Sequence, residues 1–211
     1  MKKILTQIVS RSVLIALVSA SSLCVSTQSG FCVLPPFVIW DPAAGGNGHF
    51  YRAVPRSAGL TWDAANTLAQ QQGGYLATIT SAAENNFVFG LINSSQFFTS
   101  FNGSGPAIGG FQIAGSQEPG AGWSWVTGEG WSYTNWAQGQ PDNGFGPNEN
   151  RLEYFSGLGG TPAATWNDLG QSDSNIGGYV VEVVPEPGSI SLFGMAALLA
   201  LRRFGKNSKQ P

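Results

Sequence analysis

The sequence predicts an α+β domain: two helices early in the chain, then several short antiparallel strands separated by long loops. Three observations carry that prediction. Apolar residues recur at helical spacing within 61–72 and again within 81–92, and each stretch opens on a capping residue. Beyond Ile92 that spacing stops, and short β-branched or aromatic runs alternate with segments of Gly, Asn and Ser. The composition suits a loop-rich domain pinned by large rings: 42% hydrophobic, 12% aromatic, seven Trp and 29 Gly in 211 residues.

Taken in order, Ala43 to Gly48 reads as a flexible approach, and His49-Phe50-Tyr51-Arg52-Ala53-Val54 as a first strand. Thr61 caps a helix running through Gln72, with Trp62, Ala65, Leu68 and Ala69 on one face and Gly73-Gly74 ending it. Tyr75 to Ile79 is a short strand or extended link. Ser81-Ala82-Ala83-Glu84 has the form of a capping box, opening a second helix whose apolar face is Phe87, Val88, Leu91 and Ile92. Ala107 to Phe111, Trp123 to Val126 and Arg151 to Phe155 are short strands, and Gly178 to Val183 is the last. Trp62, Trp123, Trp125 and Trp136 read as core. His49 reads as a strand or surface residue, Glu129 as a turn residue, and Glu118 and Asp173 as solvated loop. Loops as long as those after Phe111 and Trp125 are usually functional.

Positive charge is concentrated at the ends. Between residues 31 and 184 the bases are Arg52, Arg56 and Arg151, against eleven acids, so the domain carries 3 − 11 = −8. Nucleic-acid binding needs a basic footprint and is not expected. An acidic, lightly charged surface suits a cation or a sugar, or simply solubility. Catalysis is not expected either: no Ser/His/Asp arrangement, no phosphate loop and no domain cysteine is present, since Cys24 and Cys32 both precede the first strand.

Lys2, Lys3 and Arg11 precede an apolar run from Val13 to Leu23, the layout of a secretory signal peptide. At the other end Pro185-Glu186-Pro187 leads into an apolar run, Ile190 to Leu201, and then Arg202-Arg203. The run is shorter than the ~20 residues a comfortable bilayer span requires. This end resembles the PEP-CTERM sorting signal of Gram-negative bacteria. The resemblance implies an exosortase as partner, a short transmembrane segment and transient anchoring in the inner membrane. Delivery to the cell surface or extracellular matrix would follow. The expected organisation is a signal peptide at 1–30, cleaved between 20 and 30, a linker at 31–47, a domain at 48–184 and the sorting signal at 185–211.

The ordered set Tyr51-Arg52, Thr61-Trp62-Asp63-Ala64-Ala65, Gly74 to Ile79, Ile108-Gly109-Gly110, Trp123-Ser124-Trp125, Tyr133-Thr134-Asn135-Trp136, Gln140-Pro141-Asp142, Trp166-Asn167-Asp168 and Tyr179 to Glu182 resembles the C-type lectin-like domain. The resemblance implies its double-loop fold, with the first and last strands paired. Arg151 and Val181 stand where most animal members have cysteines, so the usual disulfides are missing.

Gln140-Pro141-Asp142-Asn143 and Trp166-Asn167-Asp168 read as irregular loops rich in short oxygen-bearing side chains. Hard cations take six to eight oxygen ligands of these kinds. In calcium-dependent members the resemblance assigns Gln140, Asp142, Glu149, Asn167 and Asp168 to the metal. Gln140, Asp142, Glu149 and Asn167 would also hold a sugar, across a cis Gln140-Pro141 bond. Gln-Pro-Asp resembles the galactose-type branch, and Phe145 is the ring nearest to the place where such members stack the sugar. The alternative for Gln140 and Asp142 is a simple turn cap. Gly157-Leu158-Gly159-Gly160 lengthens the interval between Arg151 and Asn167 and decides whether the two halves meet. The expected function is a secreted, calcium-dependent binder of carbohydrate or exopolysaccharide in the matrix. The alternative is a structural or adhesive matrix protein with the same fold and neither ligand.

Overall fold

Both helices start where their capping residues predict. In the computed structural model, which describes residues 34–55, 59–99, 101–144, 146, 148–157 and 159–185, the Thr61 hydroxyl accepts the Ala64 N–H at 3.3 Å and helix α1 follows as Trp62–Gln71. Gly73, at φ +80°, takes the left-handed conformation that ends it. Ser81 Oγ accepts the Glu84 N–H at 3.2 Å and opens α2, Ala82–Ile92. The expected capping box is only half made. Glu84 turns instead to Thr80, whose N–H and hydroxyl it accepts at 2.7 and 2.8 Å.

The strands are β1 (Val38–Ile39), β2 (Phe50–Pro55), β3 (Tyr75–Leu76), β4 (Ser104–Gln112), β5 (Trp123–Trp125), β6 (Arg151–Phe155), β7 (Thr165–Leu169) and β8 (Gly178–Val183). They form one sheet in the order β1-β2-β8-β4-β6-β7, with β3 added to β8 and β5 to β4. The first and last predicted strands, β2 and β8, pair antiparallel from Phe50↔Val183 to Pro55↔Gly178. Two expectations need correction. The sheet is mixed, because β4 and β8 run parallel at Pro106↔Gly178 and Ala107↔Tyr179. Trp166-Asn167-Asp168 is not an irregular loop: it lies in β7, paired with β6 from Arg151↔Leu169 to Phe155↔Thr165. The approach, Ala43 to Gly48, opens within an ordered 3-10 turn, Pro42–Ala44, capped by Asp41.

Two apolar clusters fill the space between helices and sheet. One gathers Val88 and Ile92 of α2 with Tyr51, Trp125, Tyr154 and Trp166. The other gathers Trp62, Ala65 and Ala69 of α1 with Leu76, Leu169 and Val181. Val181, at an expected cysteine position, is thus core. Arg151, at another, donates Nε to Asp63 of α1 at 2.9 Å and lies over the Trp62 ring at 4.9 Å. An ion pair and a stacked guanidinium therefore tie β6 to α1.

A buried polar network joins the two ends of the domain. The Tyr51 hydroxyl reaches both Glu84 (2.6 Å) and Glu182 (3.0 Å), and His49 Nδ1 pairs with Glu182 at 2.6 Å. Thr78 N–H donates to the other Glu182 oxygen at 2.9 Å. Neither carboxylate is left bare, as burial of charge requires.

Candidate cation and ligand site

The two sequence segments meet because the chain before Gln140 pairs with β7. Trp136 and Trp166 form a parallel bridge, with Trp166 N–H donating to Asn135 O (2.9 Å) and Ala137 N–H to Trp166 O (2.8 Å). Asn135 Nδ2 also donates to Ala164 O at 2.7 Å. The indole of Trp166 is fully buried, edge-on to Trp125 and Trp136 at 5.9 and 6.2 Å, and its Nε1 donates to Asn85 Oδ1 at 3.0 Å. Asn167 and Asp168 therefore project from a rigid strand. The glycines at 157, 159 and 160 are absorbed in the β6–β7 connection. They leave Glu153↔Asn167 and Leu152↔Asp168 in register.

Asp168 organises the preceding loop. Its buried carboxylate accepts the Asp142 N–H at 3.1–3.2 Å and the Asn143 N–H at 2.9 Å. The Gln140-Pro141 bond is cis, and Asn143 sits at φ +54°, a conformation that Asn tolerates. Asn143 Oδ1 then accepts the Glu149 N–H at 2.9 Å and closes the loop on itself. Asp142 Oδ1 accepts the Gly144 N–H at 2.9 Å. Burial pushes the Asp168 carboxyl above its ordinary value, and the two loop N–H groups offset only part of that rise.

These contacts bring one ligand atom each of Asp142, Glu149 and Asp168 within 4.8 Å of one another. Gln140, Asp142, Glu149 and Asn167 line a single cavity of about 60 Å³. Gln140 Oε1 is buried there without a hydrogen-bond partner. A buried acceptor with no donor, beside three convergent carboxylates, fits a hard cation and its oxygen ligands. Phe145 lies outside the described residues, as do Glu186, Pro187, Arg202 and Arg203 of the sorting motif; Pro185 closes the described chain. Among the described residues, no helix is long and apolar enough to cross a membrane.

Sequence reasoning missed part of this site. Glu153 on β6 and Asp173 beyond β7 also line the cavity, so Asp173 is not simply solvated loop. Glu153 is 0% exposed, and burial pushes its carboxyl well up. The available signal was its place in the strand. Arg151, Glu153 and Phe155 alternate with Leu152 and Tyr154, whose side chains are core.

A family model described as Lectin C-type domain matches residues 58–175. Comparison with curated protein sequences gives no match. Among solved structures, the C-type lectin domain of murine dendritic cell inhibitory receptor 2, in complex with N-glycan, is 22% identical. That match covers 72% of this chain and 96% of that one, with a TM-score of 0.50. A Ca2+-dependent type II antifreeze protein in its Ca2+-free form is 22% identical, covering 65% and 94%, with a TM-score of 0.50. The C-type lectin CEL-I from Cucumaria echinata is 25% identical, covering 65% and 91%, with a TM-score of 0.49.

Proposed function

This chain belongs to the C-type lectin domain family, and from that premise we propose that it is a calcium-dependent carbohydrate-binding domain without enzymatic activity. The observation that carries the proposal is the convergence of Asp142, Glu149 and Asp168 within 4.8 Å beside the unpartnered Gln140 Oε1. Calcium would take one side-chain oxygen from each of Gln140, Asp142, Glu149, Asn167 and Asp168. A hard cation accommodates up to about eight oxygens, which leaves positions for sugar hydroxyls. The ion supplies charge and open coordination positions. The chain supplies orientation: Asp168 fixes the loop, the Trp166 cage fixes Asn167, and the amide of Gln140 opposite the carboxylate of Asp142 sets which hydroxyls donate and which accept.

The two chain ends support a further reading, in which the domain is exported and sorted to the surface of a Gram-negative cell. There an exopolysaccharide is the carbohydrate within reach. The alternating order of Pro185-Glu186-Pro187, apolar run and Arg202-Arg203 motivates it.

Calcium titration and glycan-array binding test the proposal. Calcium should raise the melting temperature, and glycan binding should vanish with EDTA and with Asp142→Ala. Glycan binding that survives either treatment refutes the mechanism. Calcium-induced stabilisation with no glycan bound would favour the structural matrix role instead.

A further inference from the structure

The cavity that Asp142 and Glu149 line also reaches Glu153, more deeply buried than the exposed Asp142 of the outer trio. The Glu153 side chain is 0% exposed, and its Oε1 accepts Ser104 Oγ at 3.1 Å and Asn167 Nδ2 at 3.4 Å. Its Oε2 is buried with no hydrogen-bond partner. A buried acceptor without a donor calls for a specific occupant, an ion or a water. Charge favours the ion. Asp142, Glu149, Glu153 and Asp173 all line the cavity, and among the described residues no Lys, Arg or His does.

One ion at the outer trio does not answer this. That trio is Asp142, Glu149 and Asp168, and Glu153 is not a member of it. The cavity volume is about 60 Å³, and by the same measure one water needs only ~10–15 Å³, so there is room for more than one occupant. We propose that the inner end of the cavity binds a second divalent cation, anchored by Glu153 with Asp173 as the other carboxylate. Oxygen-only surroundings of this kind select calcium over softer metals. The inner position does not depend on the outer one, and no sugar need reach it.

Calorimetric titration of calcium into the metal-stripped full chain tests this, with Asp142→Ala removing the outer position and Glu153→Gln the inner one. The expected stoichiometry is two ions per chain in the wild type and one in each variant, with near-ultraviolet circular dichroism confirming the fold. If Glu153→Gln does not fold, Asp173→Asn takes its place and should cost the same ion. Unchanged stoichiometry and affinity in both inner variants overturns the inner site and leaves the outer one standing. A single ion lost on either substitution also overturns it, because Glu153 would then serve the outer position. A single ion that survives Asp142→Ala but not Glu153→Gln upholds the inner site and removes the outer. Absence of any calcium binding by the wild type overturns both.

Discussion

Replacing Asn85 by Ala removes one amide on which both helix packing and the site depend. Asn85 Oδ1 accepts the Tyr154 hydroxyl at 2.9 Å and Trp166 Nε1 at 3.0 Å, and its Nδ2 donates to Ala164 O at 3.1 Å. Both rings are fully buried. In the variant Ala164 O keeps the Asn135 amide at 2.7 Å, so that carbonyl stays satisfied. The Trp166 N–H does not, and the Tyr154 hydroxyl keeps only a long 3.5 Å bond to the backbone carbonyl of residue 85. A buried donor left unpaired costs ~1–3 kcal/mol, so Trp166 alone sets a loss of about 1–3 kcal/mol, and the weakened Tyr154 bond adds to it. Against a typical total stability of ~5–15 kcal/mol, that is a large share. Urea denaturation followed by tryptophan fluorescence measures it. Adding Tyr154→Phe deletes the weakened donor. The double variant should therefore be more stable than the two single losses predict, by roughly 1–3 kcal/mol. An Asn85→Ala loss under ~1 kcal/mol, or strict additivity with Tyr154→Phe, refutes the reasoning.

The remaining predictions concern pH and glycine. The hydrogen bond to Glu182 raises the pKa of His49 above 6.5, so the stability it contributes is complete below that value and lost as pH rises through the raised one. Glu182, raised chiefly by burial, acts in the same direction at lower pH. Melting temperature should fall as pH rises above about 6.5, and His49→Gln should flatten that part of the profile. Gly103 has φ +78°, and a Cβ there would lie 2.0 Å from Gly157 O, so Gly103→Ala should cost roughly 1–3 kcal/mol in urea denaturation. Gly90 lies inside α2 with nothing within 4 Å of its Cβ position, so Gly90→Ala should stabilise by about 0.5–1 kcal/mol in the same assay.

The helices were legible because their signals are local. Thr61, Ser81 and the apolar spacing after each need no distant partner to be read. β6 and β8 were legible for the same reason, as dense β-branched and aromatic runs. β7 was not, because Trp166-Asn167-Asp168 carries turn-forming residues, and only pairing with Arg151–Phe155 on one side and Trp136 on the other makes it a strand. The outer residues of the site could be named from motif resemblance. Glu153 could not: its distinction is the absence of a partner for one oxygen, which only the folded arrangement reveals. The polar role of Asn85 was hidden similarly, inside a helix face that looks merely amphipathic.

The interior position of β8 has a mechanical consequence. The strand is held by β2 on one side and by β4 on the other, with β3 also paired to it, and the chain leaves it at Val183, opposite Phe50. Tension applied through a tether at residue 185 therefore runs along a strand bonded on both flanks. It loads many hydrogen bonds at once in shear, whereas an edge strand would peel away one bond at a time. If the far side of the sheet grips a polymer at Asp142 and Asn167, the load path crosses β8, β4, β6 and β7, and β1 at the opposite edge carries none of it.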